Sequence, residues 1–269
     1  MATTRISTKL IAALATLISA VAYADGDYKW GESFEKFDFV EKPNGQINGT
    51  TCGSDIGTWS AGHAGSVVVV KDKSLAGHRS SLLSITDQVA DQRNATLILA
   101  NPIVCPTSSD GNGGIPFSVM VRRRRIADDV ELSGLNIDFQ FTGEKSDGTK
   151  VSAWTSGEGG SGIIHSDMPC DKWFRLEGRL ITRTYSPLQG QLAGAKVVNV
   201  EDESVQYNVL KGSSAKIPYA KVSNAVGNLQ LTQIKFMTWS AGQAIIDIDD
   251  IRVGDYEYPP VPGLMILVL

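Results

Sequence analysis

The chain has 269 residues, 42% of them hydrophobic and 20% charged, with a formal net charge of −4 and an isoelectric point near 5.4. That balance gives no electrostatic basis for nucleic-acid binding, and the apolar fraction suffices for a sizeable core. Twenty-seven glycines and little helical periodicity point instead to many strands and turns, at a length that suits one large β domain or two small ones.

Arg5 and Lys9 precede an apolar run, Leu10 to Ala22, and Ala22-Tyr23-Ala24 forms a small-x-small cleavage site. This predicts a secretory signal peptide over residues 1–24 and a mature chain beginning at Asp25. A membrane anchor is the competing reading, but the run is shorter than the ~20 residues a span requires. No membrane span is expected after cleavage.

The domain expected over 25–258 opens with Phe34, Phe37 and Phe39 as anchors, and Pro43-Asn44-Gly45 marks a turn. Asn48-Gly49-Thr50 and Asn94-Ala95-Thr96 are glycosylation sequons. Trp59 lies in a Gly- and Ser-rich stretch and is expected near the surface. Strands are predicted over Val67–Val70, Ser81–Thr86 and Ala95–Ala100, the last ended by Asn101-Pro102. Ile115–Arg123 runs into Arg122-Arg123-Arg124-Arg125. Leu135, Ile137, Phe139 and Phe141 then alternate with Asn136, Asp138, Gln140 and Thr142, the clearest strand pattern in the chain. Lys150–Trp154 and Trp173–Ile181 follow, the latter with Phe174, Leu176 and Leu180 inward. Val197–Val200 and Tyr207–Leu210 are weaker strands, and residues 211–228 read as loop or short helix. The apolar tail 259–269 is too short to span a membrane.

The closing segment, Gln233 to Tyr258, holds two apolar-alternating runs joined by Ser240-Ala241-Gly242-Gln243. The second run breaks parity: Ile246 and Ile248 share a face, and Ile251 and Val253 resume it one residue late. The extra residue at Asp249-Asp250 predicts a β-bulge. Ile248-Asp249-Asp250-Ile251 followed by Arg-Val, together with Gly31-Glu32-Ser33-Phe34-Glu35 near the start, resembles the last and first strands of secreted jelly-roll domains. These are the concanavalin A-like, laminin-G-like and carbohydrate-binding-module types. The resemblance implies an all-β, antiparallel β-sandwich of jelly-roll type. It also implies a structural Ca²⁺ between first and last strands, at Glu35 and Asp249, with Asp250 and Glu32 as substitutes. The competing reading leaves these acids solvated or paired with Arg252 or Lys36.

Three cysteines, Cys52, Cys105 and Cys170, allow one disulfide and one free thiol in an exported chain, and Cys52 with Cys105 is the preferred pair because both flank early loops. The three histidines lack zinc-type spacing. For a glycan ligand, Trp59, Trp154 and Trp239 are candidate stacking platforms, against the alternative that sandwich tryptophans lie in the core. Arg123 and Arg125 share strand parity. They are candidates to fork onto an acidic sugar beside Trp154, provided the two strands share a sheet. The alternative is a solvated strand end balanced by Asp128, Asp129 and Glu131. Neither the Glu-x-Asp-x-x-Glu strand of concanavalin-like hydrolases nor an alginate-lyase pattern occurs. The expectation is therefore a secreted protein that binds a polysaccharide, an acidic one by the arginines, without catalysis. A polysaccharide lyase or glycoside hydrolase on the same fold, and a structural or adhesive surface protein, are the alternatives.

Overall fold

The computed structural model describes residues 30–52, 56–63, 65–72, 81–88, 93–109, 113–158, 169–208, 218–238 and 242–254. The expected leader, the apolar tail and Trp239 lie outside them. The strands in chain order are β1 (Trp30–Glu32), β2 (Gly57–Ala61), β3 (Val67–Lys71), β4 (Ser81–Asp87) and β5 (Asn94–Val104). Next come β6 (Ile115–Arg124), β7 (Leu135–Glu144), β8 (Lys150–Trp154), β9 (Trp173–Arg183) and β10 (Leu188–Asn199). The last are β11 (Val205–Asn208), β12 (Tyr219–Val222), β13 (Val226–Thr238) and β14 (Ala244–Val253). A short 3-10 turn, Thr155–Glu158, follows β8.

These strands form two antiparallel sheets. The nine-stranded sheet runs β11-β10-β9-β6-β14-β4-β3, with β1 added to β14 and β12 to β10. The five-stranded sheet runs β2-β5-β13-β7-β8. The chain passes from one sheet to the other at β1–β2, β2–β3, β4–β5, β5–β6, β6–β7, β8–β9, β12–β13 and β13–β14. The result is an antiparallel β-sandwich of jelly-roll type. The two runs of the closing segment do not pair with each other: β13 is the middle strand of the smaller sheet, and β14 lies inside the larger one.

The core follows from period-2 alternation. Ile137, Phe139 and Phe141 of β7 and Ile234 and Phe236 of β13 face Phe117 of β6, Leu176 and Leu180 of β9 and Ile246 and Ile248 of β14, all buried. Phe117 meets Phe139 edge-on across the sandwich at 5.1 Å between ring centroids. Each such side chain contributes roughly 1.5–3 kcal/mol by burial. Gly190 of β10 faces Phe141 of β7 across the sandwich: a Cβ there would fall 2.1 Å from Phe141 Cγ, so no side chain fits.

The bulge expected at Asp249-Asp250 is present. The register of β14 against β6 shifts between Asp249 and Arg252, and Asp250 adopts φ 49°. It marks a change of neighbour, because β14 pairs β4 up to Ile248 and β1 from Ile251. Asn101-Pro102 does not end β5, as the sequence suggested. Beyond Leu99 the β2 partner has stopped, and the register against β13 jumps from Ile98 to Ile103. Proline is accommodated in that irregular stretch, where no ladder bond is asked of it. Within 211–228, expected as loop or helix, residues 219–222 form β12 and β13 begins at Val226.

Candidate functional site

Side chains of β7 that alternate with the core phenylalanines point away from the sandwich, and the same holds across the five-stranded sheet. Register sets them in rows. Trp154 on β8 lies opposite Gln140 on β7, which lies opposite Gln233 on β13. Gln233 lies opposite Ile98 on β5, which lies opposite Thr58 on β2. One row, Thr58–Ile98–Gln233–Gln140–Trp154, therefore crosses all five strands, roughly 19 Å at ~4.8 Å per strand gap. The next row contains Ser60, Thr96, Lys235 and Asp138.

The row has the chemistry of a polar platform with one indole. Thr58 is exposed and Ile98 is 43% exposed, whereas Gln233, Gln140 and Trp154 are half-buried. Gln140 Oε1 accepts a hydrogen bond from Thr232 Oγ1 at 3.1 Å, which orients its amide. The Gln233 amide has no hydrogen-bond partner among the described residues, leaving its donors and acceptor available. Lys235 Nζ sits 4.1 Å from the Trp154 ring centroid, a cation–π contact that fixes the indole's attitude. Asp138, fully buried, lies behind them. It accepts from Thr155 Oγ1 at 3.3 Å, and Thr155 Oγ1 accepts from the Phe139 amide at 3.1 Å. The turn after Trp154 is thereby pinned to β7. Burial pushes the Asp138 carboxyl above its ordinary range, against hydrogen bonds from Ser156 and Thr155 and the Lys235 charge, which pull it down.

Among the described residues expected at a glycan site, only Trp154 is on this face. Trp59 is in the core, 1% exposed, between Phe34 at 5.6 Å and Phe236 at 6.2 Å. Its neighbours in β2 are small, but strand alternation turns Gly57, Trp59 and Ala61 inward. The arginines are also corrected. They belong to β6 in the nine-stranded sheet, so none stands beside Trp154. Arg123 shares the inward parity of Val119 and Val121, is 2% exposed, and donates to the Ser133 carbonyl at 3.4 Å. Arg125 is exposed, past the strand end. Arg122 and Arg124 point outward but converge on Asp247, which is fully buried on β14. Arg122 also pairs with Asp72 and stacks 4.7 Å from the Trp173 ring. Two of the four arginines, Arg122 and Arg124, are thus held by Asp247 and Asp72.

Cys52 and Cys105 are both unbonded thiols. Cys105 follows the last residue of β5, Val104, and both thiols are buried. Burial pushes the Cys105 thiol up to about 12 and raises that of Cys52 as well.

The acids expected to hold Ca²⁺ are near the predicted corner. Glu35 is exposed, and its Oε1 accepts from the Ser81 amide at 2.9 Å, at the start of β4 beside the β14 bulge. Asp249 is fully buried, with Oδ1 accepting from the Asp250 amide at 2.7 Å. Glu32 Oε1 likewise accepts from the Phe34 amide, and Asp250 pairs with Arg252 at 2.6 Å. No group of three or more His, Cys, Asp or Glu side chains is placed to hold a metal among the described residues. Side chains here offer at most two carboxylates to an ion that takes 6–8 oxygens.

The signal for the row was present in the β7 alternation, whose outward residues are Asn136, Asp138, Gln140 and Thr142. Gln233 and Lys235 carry no comparable signal, because only long-range pairing sets them beside β7.

No protein-family model and no curated protein matches the sequence. Solved structures with a similar arrangement of sheets include the CBM22-1 xylan-binding domain of Paenibacillus barcinonensis Xyn10C. It is 11% identical over 86% of this chain and 96% of that one, with a TM-score of 0.37. The endo-β-1,4-glucuronan lyase of the fungus Trichoderma reesei is 9% identical over 84% and 94%, TM-score 0.38. A CBM22-1–GH10 xylanase 10B structure from Clostridium thermocellum is 8% identical over 85% of this chain, TM-score 0.36, and this chain spans 29% of it.

Proposed function

We propose that this chain is a carbohydrate-binding protein whose ligand lies along the outer face of the five-stranded sheet, on the row Thr58–Ile98–Gln233–Gln140–Trp154. The observation that carries the reading is the unpartnered Gln233 amide in register with Gln140 and the half-buried Trp154 indole. A sugar's CH-rich face packs on an indole, and its hydroxyls exchange hydrogen bonds with planar amides and threonine hydroxyls. A row crossing five strands suits an extended chain better than a single ring.

Binding rather than cleavage is favoured by the supply of carboxylates. Glycoside hydrolysis takes two, about 5–9.5 Å apart. Near the row the described residues offer Asp138, and it is buried behind Lys235 and Trp154. Glu144 is at the far end of β7, six residues or ~20 Å away.

The test is a glycan-array screen followed by calorimetry on the best ligand, run beside a reducing-sugar release assay. Trp154→Ala is expected to weaken binding by ~1–3 kcal/mol, the usual range for an anchoring contact. Gln233→Ala should weaken it as well, without lowering the melting temperature, since that amide holds nothing in the free protein. Binding unaffected by both substitutions would remove the row as the site, and release of reducing ends would turn the reading to an enzyme.

A further inference from the structure

A second feature lies at the other sheet, where the turn from β9 to β10 meets the turn from β12 to β13. Between them is a groove of about 330 Å³ lined by Tyr185, Ser186 and Pro187 on one side and Ser223 and Asn224 on the other. Tyr185 is 52% exposed, the most exposed aromatic among the described residues whose exposure stands out, and nothing in the core requires it. Arg183 Nη1 donates to its hydroxyl at 2.8 Å, and the guanidinium carbon stands 5.7 Å from its ring.

Arg183 differs from most arginines on the outer face of this sheet, the other exception being Arg179, which donates to the Gly114 carbonyl at 2.8 Å. Arg122 and Arg124 are bound to Asp247, and Arg175 to Glu177 and Glu203. Arg183 meets no carboxylate among the described residues, and its Nε is buried with no hydrogen-bond partner. Gln189 of β10 lies opposite Arg183 on one side and Lys221 of β12 on the other. Two cations thus flank one amide across ~10 Å of sheet. Lys221 also stands over the Tyr219 ring at 5.8 Å.

We propose that this tip is a second ligand site, separate from the row on the five-stranded sheet, and that it takes one anionic substituent of an acidic sugar, a carboxylate or a sulfate. The guanidinium, held at Nη1 by the Tyr185 hydroxyl and with Nε buried behind, turns its Nη donors to the anion. The Tyr185 ring gives the sugar a face to pack on, and Ser186, Ser223 and Asn224 supply hydroxyl and amide partners. A chain with net charge −4 does not attract polyanions as a whole, so a local site is required for such binding.

The test titrates the full chain by calorimetry with three probes: dextran, dextran sulfate and an oligogalacturonate. Wild type should bind dextran sulfate, oligogalacturonate or both more tightly than dextran, and which of the two it prefers tells sulfate from carboxylate. Arg183→Gln should weaken that binding about tenfold or more. Tyr185→Ala should weaken it too, and Arg183→Lys should restore part of the loss by keeping charge without the fork. Arg125→Gln, which lies outside both proposed sites, should leave it unchanged. The variants' melting temperatures confirm folding, since Arg183 and Tyr185 lie at a strand end and a turn. Absence of anion binding in wild type overturns the proposal. So does an equal loss from Arg125→Gln, which would mean diffuse attraction. Loss on Trp154→Ala would assign the anion to the five-stranded sheet and leave the tip without a ligand.

Discussion

Asp247→Ala tests whether the arginine run serves the fold. Asp247 is 0% exposed and receives Arg122 Nε at 2.9 Å, Arg122 Nη2 at 2.7 Å, Arg124 Nε at 2.6 Å and Arg124 Nη2 at 3.0 Å. Removing one partner of a buried pair costs ~3–5 kcal/mol, because the other charge is left buried. Two features lower that figure here. The Arg124 side chain is 33% exposed and can turn to water, and Arg122, at 8%, keeps Asp72. A loss of about 3 kcal/mol is therefore expected, which at ~2–4 °C per kcal/mol for a chain of this size lowers the melting temperature by ~6–12 °C. Urea denaturation followed by circular dichroism gives the free energy directly. The double variant Asp247→Leu/Arg122→Met removes both buried charges and should recover much of the loss. A cost for Asp247→Ala below about 1 kcal/mol would show that the cluster is not a structural ion network and reopen a ligand role for Arg122 and Arg124.

Two further outcomes follow from the geometry. The Asp138 carboxyl, raised by burial from an ordinary 3.8, binds its proton more readily folded than unfolded. Its contribution to stability is therefore present below about pH 3.8 and is lost as pH rises through the higher folded value. Asp138→Asn should gain stability relative to wild type between pH 4 and pH 7, read by urea midpoints, and a constant difference across that range would contradict the assignment. At the β1–β14 corner, a Ca²⁺ ion shared by Glu35 and Asp249 would add ~2.7 kcal/mol at 100 times its dissociation constant. EDTA should then lower the melting temperature in wild type and not in Asp249→Asn, whereas no shift on chelation assigns those acids to their backbone amides alone.

The local rules read well from sequence and the long-range ones did not. Alternation set the inward and outward residues of β7 and β9 correctly, and the parity break in Ile246–Val253 placed the β14 bulge. Each of these uses neighbours within a few residues. Trp59 was misplaced because its small, polar neighbours describe the chain, not the partners: Phe34 and Phe236 close over it from distant segments. The placing of Arg123 and Arg125 beside Trp154 rests on their shared parity and on both strands lying in one sheet, and parity along a strand does not say which sheet it joins. The chain crosses the sandwich between β6 and β7, and only sheet assignment separates the two sites. Cys52 and Cys105 both flank early loops, yet each is a free thiol, because nearness to a loop in sequence does not bring two sulfurs within bonding distance.

Both central strands of the closing segment carry a bulge, and the two irregularities have different consequences. In β14 the extra residue at Asp249-Asp250 marks the exchange of β4 for β1, so the larger sheet can receive the start of the domain. In β13 the register against both β5 and β7 shifts between Leu231 and Gln233. Leu231 and Ile234 both point inward, so Thr232 and Gln233 must both point out. Strict alternation from Leu231 would have turned Gln233 into the core and broken the row at its centre. With the bulge, Thr232 orients the Gln140 amide and Gln233 stands next to it, unoccupied. An extra residue at that point is of no evident use to the core, since it leaves two polar residues outward and no additional side chain packed. It is required by a continuous polar row between Ile98 and Gln140. Deleting Thr232 should therefore shift the remainder of β13 by one position and abolish glycan binding with the rest of that strand, whereas Thr232→Val should keep the fold and weaken binding only through the freed Gln140 amide.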